Sequence, residues 1–227
     1  MKWLFFDIGS TLIDENAFNK YLFGYVYDTI ERSDARITHE DFDVTLKKIV
    51  EERRFGDRAY IGIVEGLVKH FTTNKKVLLQ LLERYKRSAS KRYIEKMEPY
   101  PDTLTTVTEL KKIYNLGIIA NQPVKTRQKI TSFGLAEYFD VIILSSEVKL
   151  RKPDLRIFRL ALKMAECSAE DAIMIGDRLD ADIGPSKLLG FRTIRVKHGI
   201  MVNQSPLNNF EIPDQEVNNL KDLLNVL

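Results

Sequence analysis

Five short apolar runs constrain the fold of this 227-residue chain more than any other feature of its sequence. They lie at Trp3–Phe6, Leu116–Ala120, Val141–Leu144, Ala172–Ile175 and Phe191–Val196. Each run is continuous rather than alternating, which is typical of strands that are covered on both faces. Helical patterns separate the later runs, so the sequence predicts an α/β fold with right-handed crossovers and a doubly wound parallel sheet.

Two of the helical patterns between these runs each place their apolar residues on one face. The first face consists of Leu104, Val107, Leu110 and Tyr114. We expect its helix to end at Gly117, since glycine is common at the C-terminus of a helix. The second face consists of Ile157, Phe158, Ala161 and Ala165.

Residues 16–97 have a different pattern, because they contain no strand signal. Their apolar residues repeat at helical spacing in four successive stretches, which begin at Phe18, Phe42, Tyr60 and Val77. Thr38, followed by Asp41 three residues later, nearly forms a capping box, which is typical of a helix start. We therefore predict an all-α helical domain of residues 16–97, inserted into a core domain of residues 1–15 and 98–227.

Charge narrows the classes of function. The formal net charge of +3 is small, and acidic and basic residues are interspersed. The densest basic stretch, Lys86–Arg87 with Lys91–Arg92, lies in a helical pattern. This pattern predicts a solvated helix face, and attraction of an anionic substrate is the alternative. We expect no nucleic-acid partner, because dedicated nucleic-acid binders concentrate their basic residues on one face or tail.

We expect neither a membrane span nor a signal peptide in this chain. No apolar run approaches the ~20 residues of a membrane-spanning helix. The apolar start is interrupted by Asp7 and is not followed by a cleavage site of small residues. Cys167 is the single cysteine, so an intramolecular disulfide is impossible. We expect a cytoplasmic protein, and the sequence leaves its oligomeric state open.

Polar residues follow four of the predicted strands. Asp7 follows the first strand and Asn121 the second, while Lys152 lies shortly after the third. Asp177 and Asp182 follow the fourth. Because ligands bind beyond the carboxyl ends of strands in an open parallel sheet, we expect the lysine and the three aspartates to meet at one edge. Each residue alone has an ordinary explanation as a turn or helix-cap residue, but their order along the strands favours a site.

The grouping of these charges predicts phosphoryl chemistry assisted by a metal ion. Carboxylates packed together repel one another, and a buried unpaired charge is costly. A hard divalent cation removes this repulsion, and Mg²⁺ prefers a few carboxylates together with water and phosphate oxygens. Asp7 is a competent nucleophile toward phosphorus, and its attack gives an aspartyl-phosphate. The metal and Lys152 would neutralise charge on the transferring group.

Five segments carry a family resemblance: FFDIGSTL (Phe5–Leu12), PYPDTLTTVTELKK (Pro99–Lys112), LGIIANQ (Leu116–Gln122), SSEVKLRKPDLRIF (Ser145–Phe158) and GDRLDADIGPSKLLGF (Gly176–Phe191). On these segments the chain resembles the haloacid dehalogenase-like (HAD) hydrolase superfamily, in the branch with a helical cap inserted after the first motif. The resemblance covers nearly the whole chain. It implies a Rossmann-like core and a mobile cap that closes over the site.

The resemblance also implies roles for individual residues. It implies Mg²⁺ held by Asp7, by Asp177 and by the main-chain carbonyl of Gly9. Asp182 would act in or next to the shell of metal ligands, and Asp180 is the less favoured candidate. The predicted phosphate-binding residues are Thr11, Asn121 and Lys152, and the predicted catalytic residues are Asp7 and Lys152.

Two positions depart from the phosphatases of this family. Position 9 is normally an aspartate that protonates the leaving group and then activates water, and here it is Gly9. The second strand normally ends in Ser or Thr, which hydrogen-bonds the phosphoryl group, and here it ends in Ala120. The adjacent acids Asp14 and Glu15 would have to fold back to replace the missing carboxyl. We therefore expect a phosphatase for a small phosphorylated metabolite that works through Asp7 but is slow, since acid–base help is worth about 10²–10⁴-fold.

Three alternatives stay open. Relatives without that aspartate include dehalogenases, although Asp177 and Asp182 favour a metal that carbon–halogen cleavage does not need. They also include phosphonoacetaldehyde hydrolases, which need a cap lysine for a Schiff base. Lys47 and Lys48 are available, but lysines in a helical pattern are normally surface residues. The third alternative is a catalytically weak binding or regulatory protein on the same scaffold. The cap residues that could face a substrate are Tyr21, Tyr25, Arg53, Arg54, Arg58 and Tyr60.

Overall fold

The computed structural model of the protein describes residues 2–33, 36–53 and 59–227. The chain divides into a larger compact unit, Met1–Asp14 with Met97–Leu227, and a smaller one, Glu15–Lys96. None of the helices in the described ranges combines the length and the apolar composition that crossing a bilayer requires. The role of the smaller unit as a cap stays a prediction.

The larger unit is built on a parallel sheet. In chain order the strands are β1 (Trp3–Phe6), β2 (Ile13–Asp14), β3 (Glu98–Pro99), β4 (Asn115–Ala120), β5 (Val141–Leu144), β6 (Ala172–Gly176), β7 (Arg192–Val196) and β8 (Gln215–Val217). Strands β2 and β3 form a separate antiparallel pair. The other six pair in parallel in the order β5-β4-β1-β6-β7-β8. The predicted doubly wound sheet is confirmed, whereas β2, β3 and β8 were not predicted.

The helices lie in both units. In chain order they are α1 (Asn16–Glu31), α2 (His39–Glu51), α3 (Ala59–Phe71), α4 (Lys75–Lys96), α5 (Thr103–Lys111), α6 (Lys125–Ser132), α7 (Ser145–Val148), α8 (Leu155–Ala165), α9 (Gly184–Leu188) and α10 (Leu223–Val226). Helices α1 to α4 lie in the four stretches of the smaller unit that the sequence predicts to be helical. A π-helical turn, Leu179–Ile183, lies between β6 and α9.

A core cluster of the larger unit joins residues of the sheet to residues of α8. Phe5 of β1 is fully buried, and its ring stacks on Trp3 with the centroids 5.5 Å apart. The predicted apolar face of α8 is buried in the same cluster, and it consists of Ile157, Phe158, Ala161 and Ala165. Burial of a large apolar side chain contributes about 1.5–3 kcal/mol, so this face fixes α8 to the sheet.

The predicted helix before β4 is present, but the prediction that it ends at Gly117 is wrong. Gly117 lies inside β4, where a Cβ atom would come 2.6 Å from the ring of Phe5 on the neighbouring strand. The glycine is therefore explained by a close approach between strands. On the predicted face of α5, Val107 and Leu110 are buried, whereas Leu104 is exposed.

Aromatic contacts hold the smaller unit together. The ring of Phe18 in α1 meets the rings of Tyr60 and Tyr93 edge-on, at centroid distances of 5.4 and 5.2 Å. At the start of α2, Thr38 Oγ1 accepts a hydrogen bond from the Asp41 amide at 3.1 Å. The Asp41 carboxylate accepts in return from the Thr38 amide at 3.4 Å, so the capping box is complete.

The basic stretch of α4 is a solvated helix face, as predicted. Its four basic side chains are exposed, namely Lys86, Arg87, Lys91 and Arg92. Arg87 pairs with Glu83 at 2.8 Å, and Glu95 accepts from Arg92 at 2.9 Å. Exposed ion pairs of this kind contribute little to stability, about 0–1 kcal/mol each.

Candidate active site

The carboxyl ends of the central strands β1 and β6 bring the predicted acids together. Asp7 follows β1 and Asp177 follows β6, and the Asp7 amide donates to the carbonyl of Ile175 at 2.9 Å. Asp182 comes from the π-helical turn that begins two residues after Asp177. One carboxylate oxygen from each of the three aspartates lies within 4.8 Å of the others.

Lys152 completes this cluster. Its ammonium donates to Asp7 Oδ1 and to Asp182 Oδ1, both at 2.5 Å, and the side chain is buried. Burial alone would lower the pKa of Lys152, but the charges of Asp182 and Asp7 raise it above its ordinary value. Lys152 is therefore an ammonium that is fixed between the predicted nucleophile and a second acid.

Asp182 is the most confined acid of the cluster. Its side chain is 1% exposed, and burial raises its pKa to about 6, against the opposing effect of Lys152 and with a further increase from Asp7. Its second oxygen accepts from the main-chain amide of Arg178 at 3.1 Å. The raised pKa of Asp182 reflects chiefly the burial of its carboxyl, which the ammonium of Lys152 offsets only in part.

The donor set of the cluster fits a hard divalent cation. Three carboxylates face one ammonium, which leaves a formal charge of −2 when all are ionised (3 × −1 and 1 × +1). Carboxylate oxygens are the ligands that Mg²⁺ takes from proteins. Asp180 is not part of this set, since its carboxylate binds the Arg178 guanidinium at 2.6 Å.

The loop after β1 is tightly folded around position 9. The amides of Leu12 and Ile13 both donate to the Ile8 carbonyl at 2.9 Å, and Ser10 adopts a left-handed backbone with φ 53°. Gly9 itself is buried. Among the described residues, the glycines with positive φ lie elsewhere, at Gly134, Gly190 and Gly199. The φ angle of Gly9 therefore lies outside the left-handed region that favours glycine.

Thr11 offers a hydroxyl that the fold does not use. Thr11 is fully buried, and within the described part of the chain its Oγ1 has no hydrogen-bond partner. A buried hydroxyl without a partner is costly, about 1–3 kcal/mol. A bound phosphoryl oxygen would satisfy it, and the predicted role of Thr11 in phosphate binding stays a prediction.

Asn121, a predicted phosphate-binding residue, forms hydrogen bonds with the main chain of Lys152. Its amide Nδ2 donates to the main-chain carbonyl of Lys152, and its Oδ1 accepts from the amide of the same residue, both at 2.9 Å. These two bonds give Asn121 a part in placing Lys152, and its role in phosphate binding stays a prediction. Ala120, the residue before it, is fully buried and offers no hydroxyl.

The predicted cap residues lie in the smaller unit, except that Arg54 and Arg58 fall outside the described residues. Tyr60 donates to Glu15 Oε2 at 3.2 Å and to Asn19 Oδ1 at 2.7 Å. The guanidinium of Arg84 lies 4.0 Å from the ring centroid of Tyr25, and it donates to Tyr21 at 3.4 Å. Arg53 ends the second described range and has a left-handed backbone with φ 52°.

The two lysines considered for a Schiff base lie on a solvated face. Lys47 and Lys48 are 60% and 62% exposed, and they pair with Glu51 and Glu52 one helical turn later. A Schiff-base lysine is typically activated in a desolvated pocket. Both of these side chains lie in solvent, so the phosphonate alternative gains no support from them.

Sequence reasoning missed one buried cation. Arg195 lies inside β7, is 4% exposed, and donates to the main-chain carbonyl of Asp177 at 3.2 Å. Its signal in the sequence is a basic residue within an apolar run, between Ile194 and Val196. A strand that is covered on both faces holds such a residue only if the fold supplies its partners.

The parallel sheet with this cluster at its carboxyl edge defines an α/β protein with an acidic, lysine-bridged site. A sequence model of the haloacid dehalogenase-like hydrolases matches residues 4–196. The chain belongs to this family, as the motifs predict.

Relatives and a solved structure match over most of the chain. The glyceraldehyde 3-phosphate phosphatase of Methanocaldococcus jannaschii is 26% identical, over 100% of this chain and 97% of the relative. The enzyme of the same name from Methanothermobacter thermautotrophicus is 29% identical, over 86% of this chain and 85% of the relative. The crystal structure of a HAD phosphatase from Thermococcus onnurineus is 26% identical and covers 100% of this chain and 97% of its own, with a TM-score of 0.62.

Proposed function

We propose that this hydrolase is a magnesium-dependent phosphatase that cleaves the phosphate ester of a small metabolite through a covalent intermediate on Asp7. The observation that carries the proposal is the ammonium of Lys152, held 2.5 Å from both Asp7 and Asp182 beside Asp177. An anionic substrate and a nucleophilic carboxylate approach one another only where positive charge is fixed between them.

The reaction proceeds in two balanced steps. A carboxylate oxygen of Asp7 attacks the phosphorus, and the bond from phosphorus to the ester oxygen breaks; the departing alkoxide takes a proton from solvent water and leaves as the alcohol. Water then attacks the phosphorus of the aspartyl-phosphate and gives a proton to solvent, and the bond from phosphorus to the Asp7 oxygen breaks, which releases inorganic phosphate and restores the Asp7 carboxylate. The covalent intermediate divides one difficult displacement into two easier ones.

The residues of the chain divide the electrostatic work. Lys152 keeps Asp7 oriented and neutralises one oxygen of the transferring phosphoryl group, and Thr11 has a hydroxyl free to donate to another. Mg²⁺ would be held by Asp7, Asp177, Asp182 and the Gly9 carbonyl, and it would supply further positive charge to the phosphoryl oxygens.

The names of the relatives guide the choice of substrate. Two relatives that match this chain over most of their length are named glyceraldehyde 3-phosphate phosphatase. This name makes phosphorylated three-carbon compounds the first substrates to assay. Glyceraldehyde 3-phosphate is an alkyl phosphate, so its leaving alkoxide needs a proton that Gly9 cannot give.

A turnover assay tests the proposal. We expect phosphate release from an aryl phosphate, an acyl phosphate and glyceraldehyde 3-phosphate only when Mg²⁺ is present. Asp7→Asn is nearly isosteric, so it should keep its melting temperature within a few degrees and lose turnover. A 2-haloacid and phosphonoacetaldehyde belong in the same panel, because turnover of either without the phosphate esters would favour an alternative activity. Undiminished phosphatase activity of the Asp7→Asn protein would exclude Asp7 as the nucleophile.

A further inference from the structure

The guanidinium of Arg195 binds main-chain carbonyls that lie next to the candidate metal site. Its acceptors are the carbonyls of Asp177 (3.2 Å), Met201 (2.8 Å), Val202 (3.1 Å) and Gln204 (3.3 Å) and the carboxylate of Glu216 (3.3 Å). Four of these five acceptors are carbonyls of two loops, and the fifth is a side chain of the edge strand β8. Arg195 therefore joins the residue after β6 to the segment 199–204 that follows β7.

Segment 199–204 in turn contacts both loops that supply the acids. A side chain at Gly199 would collide with Ser10, which shows how closely this segment packs on the loop after β1. At its other end, Gln204 Oε1 accepts from the Leu179 amide at 3.0 Å, and Gln204 Nε2 donates to Asp180 at 3.1 Å. One buried side chain is thus connected to the loop of Asp7 and to the turn of Asp182.

The buried charge of Arg195 needs an explanation, because burying a cation is costly unless its partners compensate it. Glu216 is the one carboxylate among its acceptors in the described residues, and the side chain of Glu216 is 40% exposed. Its neighbours in β7, Ile194 and Val196, are buried apolar residues that point to the opposite face of the strand, so they offer the guanidinium no compensation. An apolar residue at position 195 could not donate hydrogen bonds to the carbonyls that Arg195 binds.

We propose that Arg195 is the positioning residue of the metal site, an inference that rests on the proposed function. By fixing the Asp177 carbonyl and segment 199–204, it sets the distance between the loop of Asp7 and the turn of Asp182. It touches neither metal nor substrate, so its effect passes through the placement of the acids. Groups that orient metal ligands in this way typically change metal affinity 10–100-fold when removed, so an effect of about this size is expected here.

The test compares two substitutions, each of which removes hydrogen bonds made by or to a residue of β7. Arg195→Met removes the carbonyl contacts at the site. Asp214→Ala is the matched control, because Asp214 accepts from the amide and hydroxyl of Thr193 on the same strand, at 2.8 and 2.9 Å. Within the described ranges its carboxylate has no hydrogen bond to the loops that carry the acids. Mg²⁺ affinity is measured by titration calorimetry of the full chain at a temperature where every variant is folded, and thermal melting is recorded beside it.

We expect both variants to melt at lower temperature, but only Arg195→Met to bind Mg²⁺ about 10-fold more weakly or worse. Arg195→Lys keeps the charge but loses the planar fork, so it should bind Mg²⁺ with intermediate affinity. It also serves as the test if Arg195→Met does not fold. Wild-type affinity in both Arg195 variants, or an equal loss in Asp214→Ala, would overturn the positioning role alone. If the wild type itself binds no Mg²⁺ at millimolar concentration, the metal site of the proposed function fails together with this inference.

Discussion

Gly9 leaves the loop after β1 without a side chain that can transfer a proton. The first step of the proposed reaction does not need a general acid at position 9 when the leaving group is stable as an anion. An alkyl phosphate is different, because its alkoxide must be protonated as it departs. The kcat/KM of the wild type, which reports the step that forms the aspartyl-phosphate, should therefore fall steeply as the pKa of the leaving group rises.

The variant Gly9→Asp tests this dependence directly. Its added carboxyl should flatten the dependence on leaving-group pKa and speed alkyl phosphates by up to about 10²–10⁴-fold. The φ angle at Gly9 is not positive, so the substitution does not require a strained backbone. Gly9→Asn is the matched control, since it has the same shape but no proton to give, and it should gain nothing. Equal wild-type kcat/KM values on alkyl and aryl phosphates would mean that another group already supplies the proton.

At the scale of elements, the strands that carry the candidate site were predictable and the edge strand β8 was not. The five apolar runs all became strands of the sheet, because strands that are covered on both faces need continuous apolar sequence. Strand β8 has the sequence QEV and lies at the sheet edge, where one side faces no strand. The position of β8 depends on tertiary contacts, including those of Asp214, and no local sequence pattern predicts such contacts.

The same limit applies to the side chains of the site. The order of Asp7, Asp177 and Asp182 along the strands predicts their meeting, since carboxyl ends of parallel strands share an edge. The hydrogen bonds of Asn121 to Lys152 were not predictable, because 31 residues separate the two and the partner atoms are main chain. Arg195 was missed because strand patterns are read from apolar residues.

Asp214 gives the contacts of β7 a pH dependence. Burial alone would raise its pKa, but Lys187 and Thr193 lower it below the ordinary 3.8. A carboxyl whose folded pKa is lowered stabilises the fold above its ordinary pKa, and this contribution is lost as the pH falls through the folded pKa. Asp214→Asn should therefore cost about 1 kcal/mol at pH 6 and progressively less below pH 3.8, as measured by urea unfolding at each pH. A cost that is constant down to pH 2 would contradict this linkage.

At the scale of the whole molecule, the acidic cluster links metal binding to stability. Without a cation, the charges of Asp7, Asp177 and Asp182 repel one another, and a ligand that binds only the folded state raises its stability. Mg²⁺ at 100 times its dissociation constant should add about 2.7 kcal/mol, seen as a rise in melting temperature. Asp177→Asn should weaken both the binding and the rise. If millimolar Mg²⁺ leaves the melting temperature of the wild type unchanged, the cluster does not bind this ion.

The central claim is that Asp7 is phosphorylated and that the aspartyl-phosphate is hydrolysed only slowly. A rapid-quench experiment with an aryl phosphate tests this claim most directly. The aryl leaving group needs no acid to depart. Attack of water on the aspartyl-phosphate does need a base, and Gly9 stands where phosphatases of this family normally have the aspartate that supplies it. We predict a burst of the aryl alcohol that is stoichiometric with the enzyme, followed by slow turnover, and a phosphoryl group on Asp7 in acid-quenched peptides. Gly9→Asp should remove the burst by speeding the second step. Alcohol and phosphate released together from the first turnover, with no phosphoryl group on Asp7, would contradict the account.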